Sequence, residues 1–555
     1  MKKAITAAIL SLASPWGAMG QNDIPGDEFF KVEVLSEGFI DAMEIAVAPT
    51  GDVFIVERTG ALKWYQPKSG ETVLVKQFDV SVRREKKFSR ETGLLGITLD
   101  PNFLKNGWLY CYYSPTKPSE HRLSRFNFKN GKLRNEKILL KIPQDRDEGV
   151  CHEGGSLAFD SEGNLFIGTG DNTNPFASDK YAPLDERRGK ESINSQRSAS
   201  NTNDLRGKVL RIKPQPNGTY TIPEGNLFPA GKKTRPEIFV MGCRNPWRIG
   251  VDSHTDTLYW GDVGPDARKD SKRGPRGYCE INQAATAGNY GWPYFVADNK
   301  PYARYDFKTE ETGEKFKPSK PINESRLNTG LKELPVARNP FWFKPRSCYC
   351  AAGVYHYSDY SSSAGKLPES IDGCLVTYDW NNGKMQLSKI GSTGNLEWKK
   401  DWLGSKKFVH PSDVEFGVDG SMYVLEYGTA WYDGVDGKLK KVTYNQSGQE
   451  VVTETADPRL KGISPEHPGY TLLSDAVCLS CHQTQTTSIG PSYNDVALRY
   501  RGDEKAANAL AQKILEGGVG AWGEISMPAH PQYNKEQVSQ MVDAIMTLAP
   551  EEHKE

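Results

Sequence analysis

The segment Cys478-Leu-Ser-Cys481-His482 sets two thiols three positions apart, with an imidazole directly after the second. On one helical turn both sulfurs can add to the vinyl groups of a single haem, and His482 then lies beneath the iron as an axial ligand. A redox or zinc CxxC is the competing use, but no second Cys pair follows to complete a zinc site. The sixth iron ligand must come from elsewhere. Met527, in the stretch ISMPAHP, is the candidate, because a thioether raises the potential relative to a bis-His iron. Met541 and Met546 fall at helical spacing among apolar residues, where packing accounts for them, and His530 is the other rival. One such haem passes electrons singly, so something upstream must supply them.

Three clusters nearer the N-terminus are richer in special residues than packing requires. In CHEGGSLAF, His152 precedes two glycines that allow close backbone approach to a ligand, leaving an imidazole with an ordinary pKa of about 6.5 available as a base. In MGCRNPW, Arg244 and Asn245 can bind anionic or carbonyl oxygens. WGDVGPDA, followed by YCEIN and AGNYGWP, supplies Asp262, Glu280 and the carbonyls of Gly264 and Pro265, hard oxygen ligands suited to calcium. Singly, each has a plainer reading: a lone His is more often structural, and Gly-Pro is a common turn.

These residues need a scaffold, and from about Ile45 to Leu425 one pattern recurs: alternating apolar residues, a turn with Asp and Gly, then a second apolar strand. IAVAPTGDVFIVE at Ile45, LAFDSEGNLFIGTGD at Leu157 and VEFGVDGSMYVLEYG at Val414 are the clear copies. ITLDPNFLKNGWLYCYY at Ile97 and IGVDSHTDTLYWGD at Ile249 are looser, and LVTYDWNNGKMQL at Leu375 is a possible sixth. Each reads as a β-hairpin. Repeated hairpins suggest sheets stacked around an axis, a β-propeller, with a β-sandwich pair as the alternative. Two polar insertions, Phe176 to Arg206 and Lys300 to Arg346, belong between strands and would rim the cavity.

Residues 27–445 are thus read as the β region and 446–464 as a linker. Residues 465–555 are read as a small helical unit, with apolar faces at Ala506, Leu510 and Ile514 and at Val538, Met541, Val542 and Ile545. Lys2 and Lys3, an apolar run and small residues before Gln21 predict a signal peptide over residues 1–20, hence a periplasmic or secreted protein without a membrane span in the mature chain. Lys plus Arg and Asp plus Glu both count 70, so composition gives no electrostatic case for a nucleic-acid partner. The nine cysteines are odd in number; with Cys478 and Cys481 assigned to haem, seven remain, and Cys348 or Cys350 with Cys374 is a plausible bridge.

In their order and spacing the clusters resemble the glucose/sorbosone dehydrogenase family, with ETGLLGITLDPNF at Glu91 and NDLRGKVLRI at Asn203 as further shared strings. The C-terminal stretch, including Gly490 and Pro491, resembles a class I c-type cytochrome. The resemblance implies a mainly β, six-bladed propeller followed by a small all-α cytochrome c domain. It implies pyrroloquinoline quinone (PQQ) and calcium as cofactors beside haem c, with a sugar or polyol substrate and a downstream redox protein as electron acceptor. By motif, His152 matches the catalytic base, Arg244 is placed in the catalytic set with it and, with Asn245, matches cofactor contacts, and Gly264 and Pro265 match backbone ligands of calcium, with Glu280 beside them. The chain departs from PQQ-binding members at three places. Trp247 stands where they carry Gln; His410, Pro411, Ser412 and Asp413 stand where they carry paired arginines; and the region of Asp379 and Trp380 replaces a Lys. A ligand-binding propeller without PQQ, tethered to an electron-transfer cytochrome, is the alternative reading.

Overall fold

A computed structural model describes residues 24–82, 91–146, 149–345, 347–361, 365–430, 432, 434–445, 457, 460–480, 482–485, 487, 490–503, 505–520, 522–527 and 529–548. The expected signal peptide and most of the expected linker lie outside the described residues, as does Cys481.

The tight Asp/Gly turns do fold as hairpins. Ala42–Val47 pairs with Val53–Glu57, Leu94–Leu99 with Trp108–Tyr113, Leu157–Phe159 with Leu165–Thr169, Pro246–Val251 with Leu258–Asp262, and Pro411–Phe416 with Met422–Glu426. Each hairpin begins a blade, and six blades, numbered I to VI from Ala42–Val47 in chain order, are formed among the described residues; all are four-stranded and antiparallel except blade III, begun by Leu157–Phe159, which is six-stranded with a parallel pair at Ile238–Met241 and Gly288–Asn289. The possible sixth hairpin is displaced by one strand. Cys374–Asp379 and Lys384–Ile390 do pair, but they are the second and third strands of blade V, whose first strand is Tyr349–Tyr355. The last blade is completed from the other end of the chain, Phe30–Phe39 pairing with Gly437–Tyr444.

The first strand of every blade packs on the first strands of both neighbouring blades, which closes a ring around the axis. Acidic side chains on these strands tie one blade to the next. Glu44 accepts from the Ile97 N–H at 2.7 Å, Asp413 from Ile45 at 2.8 Å and Glu415 from Val47 at 2.9 Å. Burial, opposed by Arg248 and reinforced by Asp413, pushes the Glu44 carboxyl up to about 8. A group protonated in the folded protein and ionised in the unfolded one stabilises the fold below its ordinary value, and that stability is lost as pH rises through the raised value. Thermal stability is therefore expected to fall between about pH 5 and pH 8. Glu44→Gln, which keeps an oxygen for Ile97, should flatten that decline by several degrees in a melting series; an unchanged slope would remove Glu44 as its source.

The two insertions lie against each other. Asn323 donates to the Gln196 carbonyl at 2.8 Å, and Arg326 pairs with Glu191 at 2.7 Å. Between them lies an open cleft of about 550 Å³ lined by Arg187, Arg304 and Phe307 among others and not by His152.

The C-terminal unit contains Pro468–Asp475, Tyr493–Arg499, Ala506–Glu516 and Lys535–Met546 as helices. Asn534 caps the last helix reciprocally with Gln537, and Val538, Met541, Val542 and Ile545 are buried. Leu460 and Ile463 already belong to this unit's core, so its packing begins inside the segment read as linker. Beside these helices the unit also holds a short antiparallel pair, Gly518–Gly520 with Gly523–Met527.

No disulfide joins the cysteines of the β region. Cys350 lies opposite Tyr378 and Cys374 opposite Tyr355, at separate rungs of the same strand pair, so the expected bridge has no geometry to form.

Candidate functional site

His152 lies in the connection that enters the first strand of blade III, and Asp171 directly follows that blade's second strand, Leu165–Thr169. The hairpin therefore brings the two together at one end of the ring. His152 Nδ1 contacts Asp171 Oδ1 at 2.7 Å, while Asp171 Oδ2 accepts from Ser195 Oγ at 2.7 Å and from Trp292 Nε1 at 2.8 Å. Burial would raise the Asp171 carboxyl, but the His152 imidazole and its hydrogen bond, with Arg244 and Ser195, hold it below the ordinary carboxylate value. A carboxylate in that state accepts the Nδ1–H and leaves Nε2 as the ring's basic atom. Among the described residues Nε2 makes no hydrogen bond.

The His152 backbone is itself constrained. Its φ is 69°, its N–H donates to Glu91 at 2.9 Å, and its carbonyl receives the Asn172 N–H at 3.1 Å. A Cβ on Gly170 would come within 2.0 Å of that carbonyl, so only glycine permits the approach. A non-glycine residue in the left-handed region, held by this many partners, is the kind of strain that collects at functional sites.

Arg244 and Asn245 form the turn before blade IV. Asp262 fixes it by accepting both backbone N–H groups, at 3.0 and 2.7 Å. The Arg244 guanidinium donates to the Val263 carbonyl at 2.8 Å and lies 5.9 Å over Trp292, while Asn245 Oδ1 accepts from Gly154 at 3.1 Å. His152, Arg244 and Asn245 thus share one neighbourhood, as their motifs suggested. Asp171, Ser195 and Trp292 complete it and were not singled out from sequence.

Gly264, Pro265 and Glu280 line a cavity of about 10 Å³ together with Arg244, Asp262 and Trp292, room for about one water-sized body. Burial, then the neighbouring Asp262, pushes Glu280 up to about 8, and burial raises Asp262 to about 6. A hard cation between the two adjacent buried carboxyls would offset both penalties; in this structure their oxygens are taken by N–H donors instead, Asp262 by Arg244 and Asn245 and Glu280 by Ala297 and Asn282.

Where the resemblance assigns Gln, paired arginines and Lys as cofactor contacts, the chain brings ring side chains together, Trp247, His410 and Trp380, with Ser412 beside them. Trp380 stacks on His410 with ring centroids 4.3 Å apart, and it meets Trp247 edge-on at 6.2 Å and Tyr427 at 6.0 Å. Ser412 is buried, and its carbonyl accepts from Arg248 at 2.7 Å. The cations nearby are already engaged: Arg248 lies 4.6 Å over the Trp247 ring and donates to the Ser412 carbonyl, and Arg58 is paired with Asp41 at 2.5 Å and covered by Tyr432. A tricarboxylated quinone needs charge-assisted partners that ring faces do not supply. These residues do not fit PQQ in the manner implied.

In the C-terminal unit His482 Nδ1 donates to the Pro491 carbonyl at 2.8 Å, which directs Nε2 to an iron. A Cβ on Gly490 would fall 2.4 Å from the same ring, so glycine makes room for the imidazole. Tyr493 stacks beside it at 5.5 Å. Cys478 is buried in the same core, and Met527 ends the strand Gly523–Met527. This cradle fits a covalently held haem.

Residues 40–324 match the family described as Glucose / Sorbosone dehydrogenase. The chain belongs to the glucose/sorbosone dehydrogenase family. Residues 467–549 of this family member match cytochrome c, and cytochrome c-551 of Allochromatium vinosum is 38% identical over 71 residues, 13% of this chain and 76% of that one. An uncharacterized protein of Synechocystis sp. is 28% identical over 283 residues, 49% of this chain and 61% of that protein, so the chain spans less than two thirds of that relative's length. The PQQ-bound aldose sugar dehydrogenase of Streptomyces coelicolor superposes with a TM-score of 0.50 over 75% of this chain and 98% of that one, at 17% identity. That likeness establishes the propeller fold of this dehydrogenase-family chain. Among the described residues no helix is long and apolar enough to cross a membrane.

Proposed function

We propose that the chain is an exported dehydrogenase that oxidises a hydroxyl group of a sugar or polyol and passes the electrons singly to its own c-type haem. The observation that supports it best is the oriented His152–Asp171 pair in a chain that carries its own haem cradle. In this reading His152 Nε2 takes the hydroxyl proton, Arg244 and Asn245 hold oxygens of the bound substrate or acceptor, and Glu280 with Gly264 and Pro265 holds calcium. Cys478 and Cys481 bind the haem covalently, and His482 and Met527 are its axial ligands. Oxidation of a CH–OH group releases two electrons and two protons, and a haem iron accepts one electron at a time, so the reading requires a two-electron acceptor in the propeller.

The aromatic stack at Trp247, Trp380 and His410 favours a second reading, a propeller that binds carbohydrate without PQQ and is joined to an electron-transfer cytochrome. Purified holoprotein given calcium and a panel of aldoses and polyols, with and without PQQ, separates the two through the haem absorption band. Reduction by sugar supports the dehydrogenase, and a dependence on added PQQ would identify the acceptor. No reduction under PQQ saturation, with sugar binding that survives His152→Ala, would leave the binding protein.

A further inference from the structure

The loop that follows the second strand of blade VI touches both the aromatic stack and the haem unit. On the propeller side, His410 Nδ1 donates to the Gly428 carbonyl at 2.7 Å, and the Tyr427 N–H returns to the His410 carbonyl at 3.0 Å. On the other side, Gln483 Nε2 donates to the Thr429 carbonyl at 3.1 Å. Gln483 is the residue next to His482, whose Nδ1 is held by the Pro491 carbonyl and whose Nε2 would ligate the iron. Asp436 holds the loop between these contacts, accepting the Thr429 N–H at 3.0 Å and its hydroxyl at 2.7 Å, so that the Thr429 carbonyl is presented to Gln483 by a fixed turn.

Contact is therefore continuous. Asn245, bonded to Gly154 beside His152, lies two residues before Trp247; Trp247 meets Trp380; Trp380 stacks on His410; and Gly428, Thr429 and Gln483 lead to His482. We propose that this chain of rings and hydrogen bonds, Trp247–Trp380–His410–Gly428–Thr429–Gln483–His482, is the electron route from the propeller cavity to the haem, with Gln483 as the residue that positions the two units. The inference rests on the dehydrogenase reading. The donor would be a reduced two-electron organic carrier of the quinol class bound beside His152, which gives up one electron per passage and releases its two protons to solvent, while each passage turns ferric haem to ferrous haem and a downstream acceptor reoxidises it. The aromatic residues that disfavour a carboxylate clamp acquire a use in this arrangement, since polarisable rings fill the span that would otherwise be a gap.

The test uses the full-length holoprotein. Gln483→Glu has the same shape but turns a donor into an acceptor facing the Thr429 carbonyl. Sugar-driven haem reduction is expected to slow roughly fivefold, the equivalent of about 1 kcal/mol for a lost docking hydrogen bond. Turnover with a soluble dye that takes electrons directly from the propeller should stay at the wild-type rate, as should haem reduction by ascorbate. Gln483→Lys, which retains an N–H donor, should recover most of the loss. A second readout needs no turnover. In 5-fluorotryptophan-labelled protein the fluorine resonances of Trp247 and Trp380, assigned with the corresponding Trp→Phe variants, should differ between ferric and ferrous haem, and Gln483→Glu should shrink that difference. If Gln483→Glu leaves both the haem reduction rate and the fluorine difference at their wild-type values, the route is wrong. If no sugar reduces even the dye, the dehydrogenase reading fails instead, and the fluorine measurement still decides whether Gln483 couples the units.

Discussion

His152→Ala is expected to lower the rate of sugar-driven haem reduction by roughly 10²- to 10⁴-fold, the usual contribution of a positioned general base. The more telling variant is Asp171→Asn. Trp292 Nε1 can only donate, so the oxygen of an Asn side chain must turn toward Trp292 and Ser195, which leaves the amide –NH₂ facing His152. The imidazole then has to accept at Nδ1 and carry its proton on Nε2, where it can no longer take one from a hydroxyl. The rate should fall nearly as far as in His152→Ala, while sugar binding and the melting temperature stay close to wild type. Stopped-flow recording of the haem band, with binding measured separately by calorimetry, checks both. Full activity in Asp171→Asn would mean that the aspartate merely packs beside the base, and full activity in His152→Ala would remove the base from the proposed mechanism.

That prediction also shows where sequence reading stopped. His152 was legible because two glycines follow it, and Arg244, Asn245 and Glu280 because their motifs are compact and shared with a family. Asp171 stands at the end of a string already recognised as a hairpin, GTGD, yet only the pairing of Leu157–Phe159 with Leu165–Thr169 reveals that its carboxylate reaches His152. Ser195 and Trp292 come from two other segments, and nothing local marks them as its partners. The same division runs through the fold. Hairpins closed by tight Asp/Gly turns were visible, since turn and strands are contiguous. The sixth hairpin, Cys374–Asp379 with Lys384–Ile390, was visible too, but the strand that opens its blade, Tyr349–Tyr355, was not, because residues 356–373 rather than a tight turn join it to the next. Ring closure by Phe30–Phe39 pairs residues some four hundred positions apart, beyond any periodicity. The haem motif lies at the opposite extreme: its chemistry is written in five consecutive residues and needs no fold to be read.

The sixth haem ligand falls between these cases, because the sequence offers two donors three residues apart and the backbone separates them. Met527 ends a strand whose partner is Gly518 and is half-buried, while His530 has its N–H fixed to the Ile514 carbonyl at the end of Ala506–Glu516, with Gln532 beside its Nδ1. Met541, one of the two helical methionines weighed for the role, is wholly buried in the core of Lys535–Met546, which accounts for it. Met527→Ala is therefore expected to leave the iron without its thioether, shift the spectrum toward that of a five-coordinate haem and lower the potential by a measurable part of the ~0.8 V over which axial ligands act. His530→Ala should do neither. A lowered potential would slow electron arrival from the propeller without touching sugar binding or dye-coupled turnover, so the two halves of the molecule can be scored independently in the same preparation. The reverse pattern, with the spectrum intact in Met527→Ala and altered in His530→Ala, would make the iron bis-His and place its potential lower from the outset.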